Sequence, residues 1–328
     1  MEGAGPATRP DFTLTLPFEL LCDIFSTLVH DDPARLLDKS DSPSDDDSQL
    51  PYNGHIRGWF VVTHVCSRWR KIAIGQPALW AHIDVRIGAD WVKRFIKRSR
   101  PLPITFEAFC EDATTGSPVA TYNARRYGYY HSLARIREQV CRDTMRAHGD
   151  RMRQLDIRWG VNVRGRTVPS TIKRSFPVLD TLLMRDCGLG LPLSEVFAFD
   201  APGLRRLCVQ DVTSFPWDLP SFSHLTHLVL ECVSAFGFGG SGFFFDILRR
   251  NGALQQLCLG GVIPTQDHIS ERTVDLPHLS SLCLSGTADR VSTFRASLRT
   301  PALRSDELKH LCILFHPPLH HPQSCELS

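Results

Sequence analysis

The sequence predicts an α/β protein in which a small α-helical unit is followed by an irregular solenoid of short parallel strands, with helices and loops on the convex side. Three observations carry this. Apolar residues recur at helical spacing between Leu16 and Leu28, and again between Val61 and Ala73. A phrase of the form Leu-x-x-Leu-x-apolar recurs through the second half of the chain. Proline or glycine precedes most copies, where a chain must turn before it enters a strand.

Residues 1–10 carry no apolar segment and are read as a disordered start. In the first helix, Leu20, Leu21, Ile24, Phe25 and Leu28 form one stripe over about three turns. Pro17 stands where a first-turn proline is tolerated, because its missing N–H would have no intrahelical acceptor there. A second stripe follows in Val61, Val62, Val65, Trp69, Ile72 and Ala73, and after a Gly-Gln-Pro break come Leu79, Trp80 and Ile83.

Leu16-Pro17, Glu19-Leu20-Leu21, Ile24-Phe25, Val65-Cys66, Arg68-Trp69-Arg70, Ile72-Ala73, Pro77 and Leu79-Trp80, in that order, resemble the F-box in the form common among mushroom-type fungi. The resemblance spans roughly residues 14–85, within a domain placed at 11–85. It implies a partner: the family docks its first helices onto the Skp1 adaptor of a cullin–RING ubiquitin ligase. The Skp1-binding residues so implied are Leu16, Pro17, Leu20, Leu21, Ile24, Phe25, Leu28, Val65, Cys66, Trp69, Ile72, Leu79 and Trp80.

A long insertion at 31–57 departs from the family pattern, which has a short connection there. From Asp31 to Asp47 it carries seven aspartates against Arg35 and Lys39. Such a stretch buries too little apolar surface to offset its ordering entropy and is expected to be disordered. Its Ser42-Pro43-Ser44-Asp45-Asp46-Asp47 run could accept phosphate.

Residues 86–150 read as helix–strand units that join the two parts: an amphipathic helix from Trp91 to Arg100, a strand from Leu102 to Phe109 and a longer helix from Tyr129 to His148. These resemble the units that follow the F-box in the same fungal proteins, so the solenoid is expected to begin near residue 80 without a flexible linker. Between 151 and 315 the repeated phrase occurs at Met152, Leu179, Leu204, Leu225, Leu254, Leu279 and Leu308, with starts 27, 25, 21, 29, 25 and 29 residues apart. That period is similar to the leucine-rich repeat. The asparagine or cysteine that closes the family phrase is matched only by Cys187, so the repeats are degenerate. Return helices are expected from Phe243 to Arg250, with Asn251-Gly252 as C-cap, and from Val291 to Leu298. Residues 316–328 are read as a disordered tail with no capping segment after the last repeat, which leaves truncation of the C-terminus an open question.

Each repeat points its apolar residues inward and its alternate residues toward the concave face. Three ladders are expected there. The first is Gln154, Thr181, Arg206, His227, Gln256, Ser281 and His310. The central one is Asp156, Leu183, Cys208, Val229, Cys258, Cys283 and Cys312, and the last is Arg158, Arg185, Gln210, Glu231, Gly260, Ser285 and Leu314. Candidate target-binding residues are Arg158, Leu183, Arg185, Arg206, Cys208, His227, Val229 and Glu231, with the arginines suited to an acidic or phosphorylated segment.

The cysteines lack the paired spacings of a zinc site. The proline-broken tail with His316, His320, His321 and Cys325 is no better. Gly237-Phe238-Gly239-Gly240-Ser241-Gly242 lacks the lysine of a phosphate loop and the closing glycine of a nucleophile elbow. No metal, cofactor, small-molecule substrate or catalytic site is expected.

With a formal charge of +2, no global electrostatic case exists for nucleic acid or an anionic membrane. No apolar run approaches the ~20 residues of a membrane span, and no secretory leader is visible at the N-terminus. Eleven scattered cysteines then suit a reducing compartment, cytoplasm or nucleus. The function expected is a substrate-recognition subunit of a Skp1–cullin–F-box ubiquitin ligase that binds an unknown target protein. The alternative is an RNA- or DNA-binding solenoid using the stretch from Arg125 to Arg166, where eleven arginines face Glu138, Asp143, Asp150 and Asp156.

Overall fold

The computed structural model describes residues 16–36, 56–109, 124–158, 175–185, 200–211, 220–231, 241–263 and 273–303. Pro17 precedes helix α1 (Phe18–Asp31), which buries Leu21, Phe25 and Val29 at four-residue spacing. Two short strands, β1 (Arg35–Leu36) and β2 (Ile56–Arg57), pair antiparallel. They narrow the expectation of disorder over 31–57, since residues 31–36 and 56–57 are ordered at its base. Gly58 makes the closure possible: its φ is +95°, and a Cβ there would overlap the Pro33 carbonyl. The next amide, Trp59 N–H, donates to Asp32 O at 2.7 Å. Residues 37–55, with the Ser42–Asp47 run, lie outside the described residues, as do residues 1–10 and 304–328.

A 3₁₀ turn (Trp59–Val61) leads into α2 (Val62–Val65) and α3 (Ser67–Gly75). Cys66 sits between them in extended conformation and caps α3, its Sγ accepting from Trp69 N–H at 3.4 Å. Helix α3 is tied back to α1 by Arg68 Nη2 donating to Leu16 O at 2.5 Å and Gln76 Nε2 to Cys22 Sγ at 3.1 Å.

The sheet starts directly afterwards at residue 82, close to the expected solenoid start near residue 80 and inside the 11–85 segment assigned to the helical unit. In chain order follow β3 (His82–Asp84), α4 (Ala89–Arg98), β4 (Ile104–Phe109), α5 (Ala124–His148), β5 (Met152–Arg158), β6 (Thr181–Arg185), β7 (Arg206–Gln210), β8 (His227–Glu231), α6 (Ser241–Arg250), β9 (Gln256–Gly260), β10 (Val274–Asp275), β11 (Ser281–Ser285), α7 (Ala288–Ala296) and β12 (Leu298–Arg299). The eight strands β3 to β9 and β11 make one sheet, each beside its predecessor, and all pairings are parallel. That order is the signature of a solenoid-like α/β fold.

The register makes the repeats physical. Leu155, Leu182, Leu207, Leu228, Leu257 and Leu282 are successive partners, and Ile157, Met184, Val209, Leu230, Leu259 and Leu284 form a second column beside them. Both columns are buried in the main core. The last expected copy, Leu308-Leu311-Ile313, lies outside the described residues.

Before the strands, the proline and glycine punctuation becomes a recurrent turn. Leu179, Leu204, Leu254 and Leu279 N–H donate to Phe176, Ala201, Asn251 and Leu276 O at 3.0–3.2 Å. Residues preceding these turns stack as a second, minor parallel ladder: Ser175 bridges Asp200, and β10 pairs with β12. One repeat varies the device. Leu225 N–H donates instead to Asn251 Oδ1 at 2.8 Å, while Asn251 Nδ2 donates to Phe222 O and Ile247 O. Asn251 closes α6 as expected, its N–H donating to Leu248 O at 3.0 Å, and its buried side chain adds a three-way tie; Gly252 has no positive φ.

The helical unit and the sheet share one core, running from Leu21 to Leu298. Trp80 lies at the seam, 5.0 Å from Trp59 and 4.8 Å from Phe95 between ring centroids, with its Nε1 donating to Ala73 O at 2.7 Å. No described helix is long and apolar enough to cross a membrane.

Candidate partner-docking surfaces

Two surfaces hold the residues singled out from sequence. On the helical unit, α1 splits its apolar stripe. Leu21 and Phe25 face the core and Leu28 is half-buried, whereas Leu20 and Ile24, one turn apart, remain 49% and 41% exposed. Val61 and Val65, also four residues apart, are 61% and 52% exposed on the neighbouring turn, and Phe18 and Ile74 are exposed as well. Leu21, Phe25, Ile72, Leu79 and Trp80 are therefore corrected from docking residues to core residues. A stripe wider than the contact it makes must leave its shoulder in water, and sequence spacing alone does not show which shoulder. Trp69 is half-buried with its ring 5.1 Å from Phe25; its Nε1 is buried without a hydrogen-bond partner among the described residues. Leu16 and Cys66 are half-buried and Pro17 is exposed. Phe18, Val61 and Ile74 were not singled out, though Val61 stood in the second stripe.

The other surface is the sheet face turned away from the main core. Its three rows fall in register as expected as far as Ser281, Cys283 and Ser285, while His310, Cys312 and Leu314 lie outside the described residues; the central row is not open. Leu183, Cys208, Val229 and Cys258 pack into a small cluster of their own with Cys283 against it, and none of the first four is more than 6% exposed. Leu183, Cys208 and Val229 are thus corrected from accessible contact residues to buried ones. At the middle of the row the reason is relief: Cys208 and Val229 stand between Arg206 and His227 on one side and Gln210 and Glu231 on the other. His227 and Glu231 are half-buried and Arg206 is exposed, its Nε 4.0 Å from Asp180. Gln210 Nε2 donates to Glu231 Oε2 at 2.5 Å, filling the flank beside Cys208 and Val229.

The central row also continues further than the repeats suggested. Asp84 pairs in register with Glu107, Glu107 with Asp156, and Asp156 with Leu183, which places three carboxylates at the first end of the row. Arginines and a histidine neutralise them. Arg185 Nη2 bonds Asp156 Oδ2 at 2.7 Å, with both side chains nearly buried. His82 Nε2 meets Glu107 Oε1 at 2.6 Å, and Arg86 holds Asp84 through both carboxylate oxygens. The Phe109 ring lies between two guanidiniums, Arg86 at 4.4 Å and Arg158 at 4.5 Å from its centroid.

Burial dominates the Asp156 carboxyl and pushes it up to about 6, despite Arg185 and Arg158 pulling it down. Burial pulls the His82 imidazole down, yet its bond to Glu107 and the charges of Glu107, Asp84 and Asp156 raise it overall. For Glu107, burial raises the carboxyl, but His82, Arg86 and Arg158 outweigh it and leave it lowered. The arginines read as a docking patch for an acidic segment are therefore largely engaged within the face itself. His82, Asp84, Arg86, Glu107 and Phe109 were missed. The strand carrying Glu107 and Phe109 was recognised, but its alternate residues were not extended into the ladders.

The arginine-rich stretch behaves similarly. Arg142 pairs with Glu138 at 2.6 Å, and Arg151 donates to Leu102 O, Ile96 O and Ser99 Oγ, stitching β5 to the end of α4. Trp159, Arg164 and Arg166, and the side chains of Tyr127, Tyr129 and Tyr130, lie outside the described residues. Among the described residues no group of three histidine, cysteine or carboxylate side chains could hold a metal ion. Gly237 to Gly240 lie outside them too, while Ser241 and Gly242 open α6. Against models of protein families, curated proteins and solved structures, the chain has no match.

Proposed function

We propose that the chain is the substrate-recognition subunit of a Skp1–cullin–F-box ubiquitin ligase, with α1 to α3 as a degenerate F-box and the parallel solenoid as a leucine-rich-repeat-like client platform. One observation supports it most: the helical unit keeps Leu20, Ile24, Val61 and Val65 in water while its opposite side is fully committed to the core. Exposed apolar residues grouped on a small unit suit a protein partner. The shared core behind them suits the second half of the role, since an adaptor at one end and a client at the other would be held at a fixed separation. In this reading the docking set is narrower than the sequence implied, centred on Pro17, Leu20, Ile24 and Val65 and extended by Phe18, Val61 and Ile74. The chain itself performs no chemistry; it places an acceptor lysine near the loaded enzyme.

The test is retention of the chain on an immobilised Skp1-type adaptor. Leu20→Asp with Ile24→Asp should reduce retention at least about tenfold, equivalent to about 1.4 kcal/mol, with an unchanged melting temperature because both positions are solvent-facing. A well-folded wild-type chain that the adaptor does not retain overturns the reading.

A further inference from the structure

The described cysteines are not evenly distributed along the central row. Cys208 has Leu183 and Val229 as its two register partners, but Cys258 is paired directly with Cys283 on the adjacent parallel strand. Both side chains point away from the main core, Cys258 buried and Cys283 half-buried, and neither is in a disulfide. Neighbouring strands lie about 4.8 Å apart, inside the roughly 4.4–6.8 Å that a disulfide tolerates between Cα atoms. Cβ atoms held at strand spacing are farther apart than the ~3.8 Å a relaxed disulfide prefers. A bond formed there is readily reduced, which is the character of a reversible bridge and not of a structural one.

We propose that Cys258 and Cys283 form a reversible cross-strand disulfide that locks β9 to β11 when a small-molecule disulfide such as oxidised glutathione is in excess. Cys283, the more accessible thiol, loses its proton and attacks one sulfur of the glutathione disulfide. This forms a mixed disulfide and expels one glutathione thiolate. Cys258, also deprotonated, then displaces the second glutathione thiolate. The new protein S–S bond replaces the glutathione S–S bond, and the two protons end on two reduced glutathione molecules. Cys208 is outside this chemistry because its register partners, Leu183 and Val229, carry no sulfur. The proposal rests on strand register alone and is independent of the partner assigned above.

The experiment equilibrates the full chain with defined ratios of oxidised to reduced glutathione, quenches with an alkylating agent, digests with trypsin and reads the linked peptides by mass spectrometry. Cleavage after Arg250, Arg272 and Arg290 separates the two cysteines onto peptides 251–272 and 273–290, each with a single cysteine. The expected result is the 251–272/273–290 cross-link, favoured about tenfold or more over other cysteine pairs and reversed by reductant. It should be retained in Cys208→Ser, lost in Cys258→Ser and in Cys283→Ser, and lose its preference in concentrated guanidinium. Oxidation that stops at glutathionylated Cys283, joins Cys283 to a different cysteine or leaves both thiols alkylated at every ratio overturns the proposal. So does equal preference in the unfolded chain.

Discussion

Asp156 has an arginine nitrogen 2.7 Å away and is still harder to ionise than an aspartate in water. Its Oδ1 is buried without a hydrogen-bond partner among the described residues, so the lost hydration is only partly replaced. A carboxyl raised in the folded state favours folding below its ordinary value of 3.8, and that contribution is lost as pH rises through about 6. Asp156→Asn, which imitates the neutral form, should match wild type in urea unfolding at pH 3.5. At pH 7 it should be the more stable by up to about 3 kcal/mol; equal destabilisation at both pH values would remove the argument. Within the neighbouring pair the two signs differ, and only that of Glu107 is opposite to Asp156. The Glu107 contribution is present above its ordinary value and lost in acid, whereas that of His82 is present below 6.5 and lost as pH rises through its raised value. His82→Gln should therefore cost most stability in a window around pH 5–6, by about 1 kcal/mol, and progressively less in alkali. Thermal melts across that range are the measurement.

At the scale of single elements, the strand phase was legible and side-chain exposure was not. A period of two places Leu207 inward and Cys208 outward with no further information, because a one-residue slip would turn every leucine to the wrong face. Whether Cys208 then meets water depends on the length of its neighbours in other repeats, which no local pattern contains. For the same reason the stripe of α1 was visible but its orientation was not: Leu20 and Leu21 are adjacent and equally apolar, and only packing against α3 separates them. Asn251-Gly252 ended α6 as expected, but nothing in the dipeptide showed that the asparagine side chain bonds three backbone groups in two repeats. Asn251→Ala leaves the Leu225 N–H and the Phe222 and Ile247 carbonyls without that partner, and should cost about 2–3 kcal/mol. Leu228→Ala, in the middle of the inner column, should cost about 2–5 kcal/mol through transfer and cavity terms together. Denaturant titration of the two variants tests whether the turn ties rank with the core column.

For the molecule as a whole, the decisive structural fact is the seam between the helical unit and the sheet. Trp59 comes from the turn before α2, Trp80 from the turn after α3 and Phe95 from α4, and all three are fully buried against one another. A flexible junction would instead place polar residues there and leave two separate cores. The absence of a linker was expected only from the resemblance of residues 86–150 to the helix–strand units that follow an F-box; the aromatic contacts come from residues up to 36 positions apart and only the fold brings them together. Cooperative unfolding follows from a continuous core. Four of the six tryptophans, Trp59, Trp69, Trp80 and Trp91, fall between residues 59 and 91, so fluorescence is weighted toward the helical unit and the seam, while far-UV circular dichroism reports the helices and sheet throughout, and the two should give one coincident transition in urea. Phe95→Ala should lower the midpoint of both signals together, by about 3–5 kcal/mol in stability. A fluorescence transition that moves to lower urea while the dichroism transition stays in place would mean that the helical unit unfolds alone. The sheet would then stand without it, and the fixed separation proposed between an adaptor surface and a client surface would be lost.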